Sequence, residues 1–261
     1  MKEPSHHLVQ ALHRRPWLRR AARRICRGWT VRQRFYQAWI CLDAVEHSWA
    51  WTGKTRYEQF DRWLQDALVR LAVGQSAFLD IGANLGVMTL AVLLRVPRSV
   101  AVAVEPNPRA CELLRRSLVL NDLAARGRVI EAVVTPGGRS VGFDFAGSVT
   151  GHVTAAGSRH PRGIAPGQLL AALDAGPVLV KLDVEGFEAE LLPEFAGLPH
   201  RSRITLVVEM HPAGFRPGLD PAKVLAALRQ SGAALSSLDG RPFAADTPAP
   251  FDHLVARWPA S

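Results

Sequence analysis

From about residue 73 onward the chain alternates short apolar runs with amphipathic stretches. Ala77–Ile81 and Ser99–Val104 are brief and nearly free of polar side chains, as strands buried on both faces are. Arg128–Val134, Pro177–Leu182 and Ile204–Met210 repeat the pattern. Helix signals lie between and after these runs. One helix opens at about Gly86 behind a glycine turn. Asn107 and Pro108 stand as cap and first residue of another that runs to about Leu120. Asp220-Pro221 caps a third, which stops at Gly232. Ala234–Leu238 and His253–Trp258 read as closing antiparallel strands. Residues 136–165 hold Pro, Gly, Ser and His with little periodicity and read as loop with one short strand pair. Alternating strands and helices predict an α/β fold, a parallel sheet covered on both faces with ligands beyond the strand C-termini.

The first 72 residues are patterned differently and are expected to form a basic, tryptophan-rich helical extension to the domain of residues 73–261. Leu18, Ala22, Ile25 and Trp29 recur at helical spacing from Leu18 to about Arg34, with Arg19, Arg20, Arg23, Arg24 and Arg27 covering the other side. Thr55-Arg56-Tyr57-Glu58 has the form of a capping box. It is expected to open a helix with Phe60, Leu64, Leu68 and Leu71 on its apolar stripe, ending near Gly74. Six of the seven tryptophans precede residue 64, which excludes a wholly disordered tail.

Charge sharpens this division. The formal charge of the chain is +9. Residues 1–34 hold ten Lys or Arg against Glu3 alone, so the remainder is neutral. Two readings of this leader stay open. One is a basic amphipathic helix on an anionic membrane or nucleic acid; the other is a surface helix packed through Ile25 and Trp29 with its arginines in water. No run of about 18 apolar residues exists. Three cysteines without paired spacing argue against a disulfide framework or a zinc site, so a reducing cytoplasm is expected, with the leader as the part that would touch a membrane.

Two stretches carry chemistry. Asp80-Ile81-Gly82-Ala83-Asn84-Leu85-Gly86 places a carboxylate at a strand end before a glycine turn. A dinucleotide fingerprint would read G-x-G-x-x-G, and an acid in front of it would repel a pyrophosphate. The acid suits a cationic ligand head instead, such as the sulfonium and ammonium of S-adenosylmethionine. Glu105 ends the next strand, where an acid can accept hydrogen bonds from both ribose hydroxyls. In the second stretch, Lys181, Asp183 and Glu185 share one side of an extended chain, and Glu209 and His211 repeat the device at the end of the following strand.

Phe78–Leu90, Val104–Pro108, Leu120-Asn121-Asp122, Lys181–Glu188 and Val207–Pro212 together resemble FkbM-type methyltransferases, a branch of the class I enzymes dependent on S-adenosylmethionine. The resemblance spans about residues 73–215, and Lys-x-Asp-x-Glu-Gly-x-Glu is its most specific piece. It implies a Rossmann-like, mostly parallel sheet of seven strands. It further implies that Asp80, Gly82, Asn84 and Gly86 cradle the methionine part of the cofactor, that Glu105 serves the ribose, and that Asp183 and its neighbours face the transferred methyl; Asn107 is counted with the cofactor-binding residues. Family members commonly methylate hydroxyls on sugars, glycans or polyketide-type metabolites.

For a hydroxyl acceptor, Asp183 and His211 are the candidate general bases, while Lys181 balances Asp183 and Glu185. No cluster demands a metal, although Asp183, Glu185 and His211 form a set that could hold Mg²⁺. Three rival readings remain: a nucleic-acid methyltransferase using residues 1–34 as its arm, a cofactor- or partner-binding protein without catalysis, and a nicotinamide dehydrogenase. The neutral domain and the lack of an Asn/Asp-Pro-Pro-aromatic motif disfavour the first. The presence of Asp183 and His211 argues against the second, and the loop spacing against the third.

Overall fold

A computed structural model of the chain describes residues 15–26, 28–48, 56–145, 151–153, 157–215, 218–243 and 253–259. Thr55, Trp49, Trp51 and residues 1–14 of the leader lie outside them. Helix α1 (Pro16–Ile25) is followed by the hairpin β1 (Thr30–Phe35) and β2 (Ala38–Asp43), and then by α2 (Arg62–Ala72). The alternating domain follows: β3 (Ala77–Ile81), α3 (Val87–Arg95), β4 (Ala101–Glu105), α4 (Pro108–Leu120), β5 (Gly127–Glu131) and β6 (Val133–Val134). Next come β7 (Phe143–Phe145), β8 (Gly151–Val153), β9 (Gly163–Ile164), α5 (Pro166–Ala171), β10 (Val178–Leu182) and α6 (Glu188–Ala196). The described chain closes with β11 (Ile204–Glu209), α7 (Pro221–Gln230), β12 (Ala234–Ser236) and β13 (His253–Arg257).

Seven strands form the main sheet in the order β12-β13-β11-β10-β3-β4-β5. The five from β11 to β5 run parallel, and β13 joins antiparallel between β11 and β12. Asp80 is paired with Lys181 across β3 and β10, and Glu209 with His253 across β11 and β13. The register therefore collects the ionisable residues at one edge. One core under the sheet joins Leu79, Val180 and Leu206 to Phe195 and Leu228 of the helices. The other joins Phe78, Leu90 and Leu114 to Phe35, Ile40, Leu42, Tyr57, Leu64 and Leu68. Residues on both sides of the 72/73 division thus share one core. No helix among the described residues is long and apolar enough to cross a membrane.

Two expectations for the extension change. The leader helix ends at Ile25 rather than near Arg34, because Gly28 adopts a left-handed φ of 80° and β-branched Thr30 and Val31 enter the hairpin. The next helix starts at Arg62, behind Asp61 at φ 44°. The turns before it are tied down by the buried Gln65 amide, which donates to the carbonyls of Tyr57 (3.1 Å) and Phe60 (2.6 Å). In the stretch read as loop, β7 pairs with β8, and β9 pairs with β6, the end of the run Arg128–Val134, which is divided between the main sheet (β5) and this pair.

Candidate active site

The strand C-termini of β3, β4, β10 and β11 border two adjoining cavities. The first is lined by Gly82, Asn84, Glu105, Asp183 and Glu185, with Val133, Val134, Phe143 and Phe187 as an apolar wall. The second shares Gly82, Asn84, Asp183 and Glu185 and extends to Lys181, Glu209, Tyr57, Phe60 and Asp61. Asp183 and Glu185 therefore stand where the two cavities meet.

The turn after β3 works through backbone contacts. Gly82 has φ 78°, and a Cβ there would lie 1.7 Å from the Asp183 carbonyl oxygen. Gly86 also has φ 78°, and a Cβ would strike Leu114 of α4. Asn84, itself at φ 50°, donates its N–H to Glu105 Oε2 at 2.8 Å, and the Asn107 N–H donates to Oε1 at 2.8 Å. Two main-chain donors thus aim the Glu105 carboxylate into the first cavity. Burial pushes its pKa up to about 7 despite those two donors. The Asn107 side chain is engaged in capping α4, accepting from the N–H groups of Arg109 and Ala110, while its N–H meets Glu105 of the cavity lining.

Asp80 lines neither cavity. It is fully buried beneath the turn, where Thr89 Oγ1 of α3 donates to its Oδ2 at 2.6 Å and Lys181 Nζ lies 3.8 Å from its Oδ1. Burial raises its pKa, against the pull of Lys181 and Thr89. The geometry makes Asp80 a support that ties the turn to α3 and β10. Lys181 Nζ donates to Asp183 Oδ2 at 2.8 Å. Burial opposes the lysine's charge, but Asp183 and Asp80 prevail and raise its pKa.

Beyond β10 the chain turns through Glu185 (φ 53°) and Gly186 (φ 101°). The buried Glu188 carboxylate holds this turn: its Oε1 accepts from the N–H groups of Val184 (3.2 Å) and Gly186 (3.1 Å) and lies 3.0 Å from His211 Nδ1. The other His211 nitrogen, Nε2, faces Glu209 at 3.6 Å and Asp183 and Glu185 at 3.9 Å each. Hydrogen bonds to Glu188 and Glu209 raise the His211 pKa to about 10, so the imidazole is a cation at neutral pH. Burial works against the Glu209 charge, yet the bonds from His211 and His253 hold its pKa below the usual range. Glu185 moves upward through burial and the neighbouring Asp183 charge. Asp183, Glu185 and His211 offer ligand atoms within 4.8 Å of one another, but a metal there would first have to displace the imidazole proton.

The five ionisable residues expected at the sheet mouth are thus brought together. Sequence reasoning missed Tyr57, Phe60 and Asp61, which come from the extension, and the apolar wall of Val133, Val134 and Phe143; no local pattern marks them. Glu188 was within reach, as the last residue of the Lys-x-Asp-x-Glu-Gly-x-Glu motif.

The first cavity fits S-adenosylmethionine. It offers a pre-aimed carboxylate for a ribose, an apolar wall for a purine ring, and carboxylates toward a sulfonium and ammonium. A family model described as "Methyltransferase FkbM domain" matches residues 80–234, more than half of the chain. No curated protein sequence matches. Among solved structures, the fold is similar to TYW2 of M. jannaschii in complex with AdoMet (14% identity, 87% of this chain and 84% of that one, TM-score 0.46). It is similar to TYW2 of P. horikoshii with MeSAdo (12%, 87% and 69%, 0.48) and to precorrin-6y C5,15-methyltransferase of Geobacter metallireducens (17%, 80% and 92%, 0.44).

Proposed function

The chain belongs to the FkbM methyltransferase family, whose cofactor is S-adenosylmethionine, and from that premise we propose that it methylates a hydroxyl group on a sugar, glycan or secondary metabolite. The observation that carries this reading is the position of Asp183, on the shared wall of the two cavities and hydrogen-bonded to Lys181. When bound, S-adenosylmethionine supplies an already activated, electrophilic methyl group. What remains for the chain is to align the acceptor oxygen, exclude water and take up a proton.

The second cavity is suited to those tasks. Tyr57 and Phe60 give it an aromatic side, while Asp61, Asp183, Glu185 and Glu209 give it acceptors for hydroxyl groups. Asp183 would take up the hydroxyl proton of the acceptor as the oxygen receives the methyl group, the bound cofactor leaving as a neutral thioether. Lys181 and His211 are positioning cations that keep the crowded carboxylates in place. His211, held charged, does not compete for the proton. The same excess of carboxylates disfavours a phosphate-bearing acceptor, and with it a nucleic acid. The reading is tested by incubating the protein with methyl-labelled S-adenosylmethionine and a panel of glycosides, polyketide alcohols, amines and oligonucleotides. Label recovered as an alkali-stable methyl ether supports it. Label only in an amine, an ester or a nucleobase sinks it.

A further inference from the structure

All of the net charge of the chain lies in its first 34 residues, and no acid occurs between Arg14 and Arg34. Part of that stretch is α1 and its continuation to β1. Arg15, Arg20 and Arg24 are exposed there. So are large apolar side chains: Trp17 is 63% exposed, Ile25 75%, and Trp29, just past the helix, 62%. A helix serving only as a cover for the core would bury such residues. Open Trp and Ile side chains beside exposed arginines instead mark a surface that meets something both apolar and anionic.

The root of this element is fixed. Arg109 Nη2 donates to the Trp29 carbonyl at 3.1 Å and to Asp43 Oδ2 at 2.9 Å, and Arg116 Nη1 donates to Thr30 Oγ1 at 2.7 Å. Arg109 stands in the first turn of α4, which opens just after Glu105. The root of the basic helix therefore sits on the edge of the sheet that carries the cofactor turn.

We infer that α1 and Trp29 dock the protein on the surface of an anionic lipid bilayer, with the side chains of Trp17, Ile25 and Trp29 in the headgroup region and the arginines on lipid phosphates. A nucleic-acid backbone would use the arginines but leave the apolar side chains in water. Indole rings, by contrast, are at home at a membrane–water interface. Charge complementarity and the interfacial character of the exposed residues point to the same partner.

The test uses the full chain and vesicles of phosphatidylcholine with or without phosphatidylglycerol, read by co-sedimentation. The expected result is binding to the phosphatidylglycerol vesicles at low salt, loss of binding as salt rises, and none to pure phosphatidylcholine. Arg20→Glu with Arg24→Glu should weaken binding by at least about tenfold. Trp17→Ser with Ile25→Ser, which leaves every charge in place, should weaken it as well. Calorimetry with S-adenosylmethionine checks that both variants are folded. No sedimentation of the parent chain at low salt overturns the inference. Equal binding by the Trp17/Ile25 variant overturns it too, as does displacement of the protein from vesicles by duplex RNA or DNA at equal phosphate.

Discussion

Glu188 and His211 face each other at 3.0 Å, joining the first residue of α6 to the residue two past the end of β11, and between them they hold the turn that presents Asp183 and Glu185. One carboxylate oxygen serves two main-chain donors and one imidazole nitrogen. The arrangement explains how a chain segment with two consecutive positive-φ residues, Glu185 and Gly186, is kept in a single geometry.

Replacing Glu188 by Gln keeps the shape but removes the charge that the imidazolium and both N–H groups share. The expected loss is about 2 kcal/mol, which lowers the melting temperature by roughly 4–8 °C for a chain of this size. Thermal unfolding measures it, and the titration of His211 followed by NMR should move downward in parallel. An unchanged melting temperature with an unchanged His211 titration would falsify the clamp.

Glu105 should make cofactor binding pH-dependent. Its pKa of about 7 means that the carboxylate able to accept from both ribose hydroxyls is lost as pH falls through neutrality. Affinity for S-adenosylmethionine should then drop by up to about tenfold per pH unit below that point. Glu105→Ala should weaken binding by roughly one to two orders of magnitude, from the loss of one charged hydrogen-bond acceptor. Calorimetry between acid and mildly alkaline pH decides; a flat profile in the parent chain removes Glu105 from the site. Because this carboxyl binds its proton more tightly folded than unfolded, its share of the apoprotein's stability grows as pH falls from about 7 toward 4.5, contrary to the usual carboxylate.

Asp183→Asn should lower kcat by about two to four orders of magnitude, the range typical of a lost general base. Affinity for S-adenosylmethionine should barely change. The measurement is single-turnover methyl transfer to whichever acceptor the labelled panel identifies. Turnover near that of the parent, with methyl transfer shown to limit the rate, would leave alignment and desolvation as the whole mechanism.

His211 gives a signature at the alkaline end. Its folded pKa, about 10, lies above the reference value of 6.5. The stability it contributes is therefore fully present below about pH 6.5 and disappears as pH rises through about 10. Melting temperature followed from pH 6 to 10.5 should fall more steeply in the parent than in His211→Asn. Parallel curves would mean that the imidazole is not charged in the folded state. For the same reason, no limb near pH 6.5 in the rate profile should trace to His211.

Local pattern was enough to read the alternating domain. The β3 turn, the β4–α4 joint capped by Asn107 and the start of α7 follow from apolar runs bounded by Gly, Asn-Pro and Asp-Pro, because Gly admits the positive φ a tight turn needs and Pro fixes φ whatever surrounds it. Motif spacing likewise placed Lys181, Asp183, Glu185, Glu209 and His211 at one mouth, since a parallel sheet aligns the ends of β10 and β11, although Asp183, Glu185 and His211 lie just past those ends and not in the extended chain the alternation predicts. Tertiary structure alone decided what each group does there. Asp80 became a buried support because β10 set Lys181 against it, and His211 became a cation because α6 brought Glu188 to its Nδ1. Tyr57, Phe60 and Asp61 reached the cavity because the extension packs on α3 and α4 as part of one core. Burial and the approach of distant charges set protonation and contact, and neither is written in the residues next along the chain.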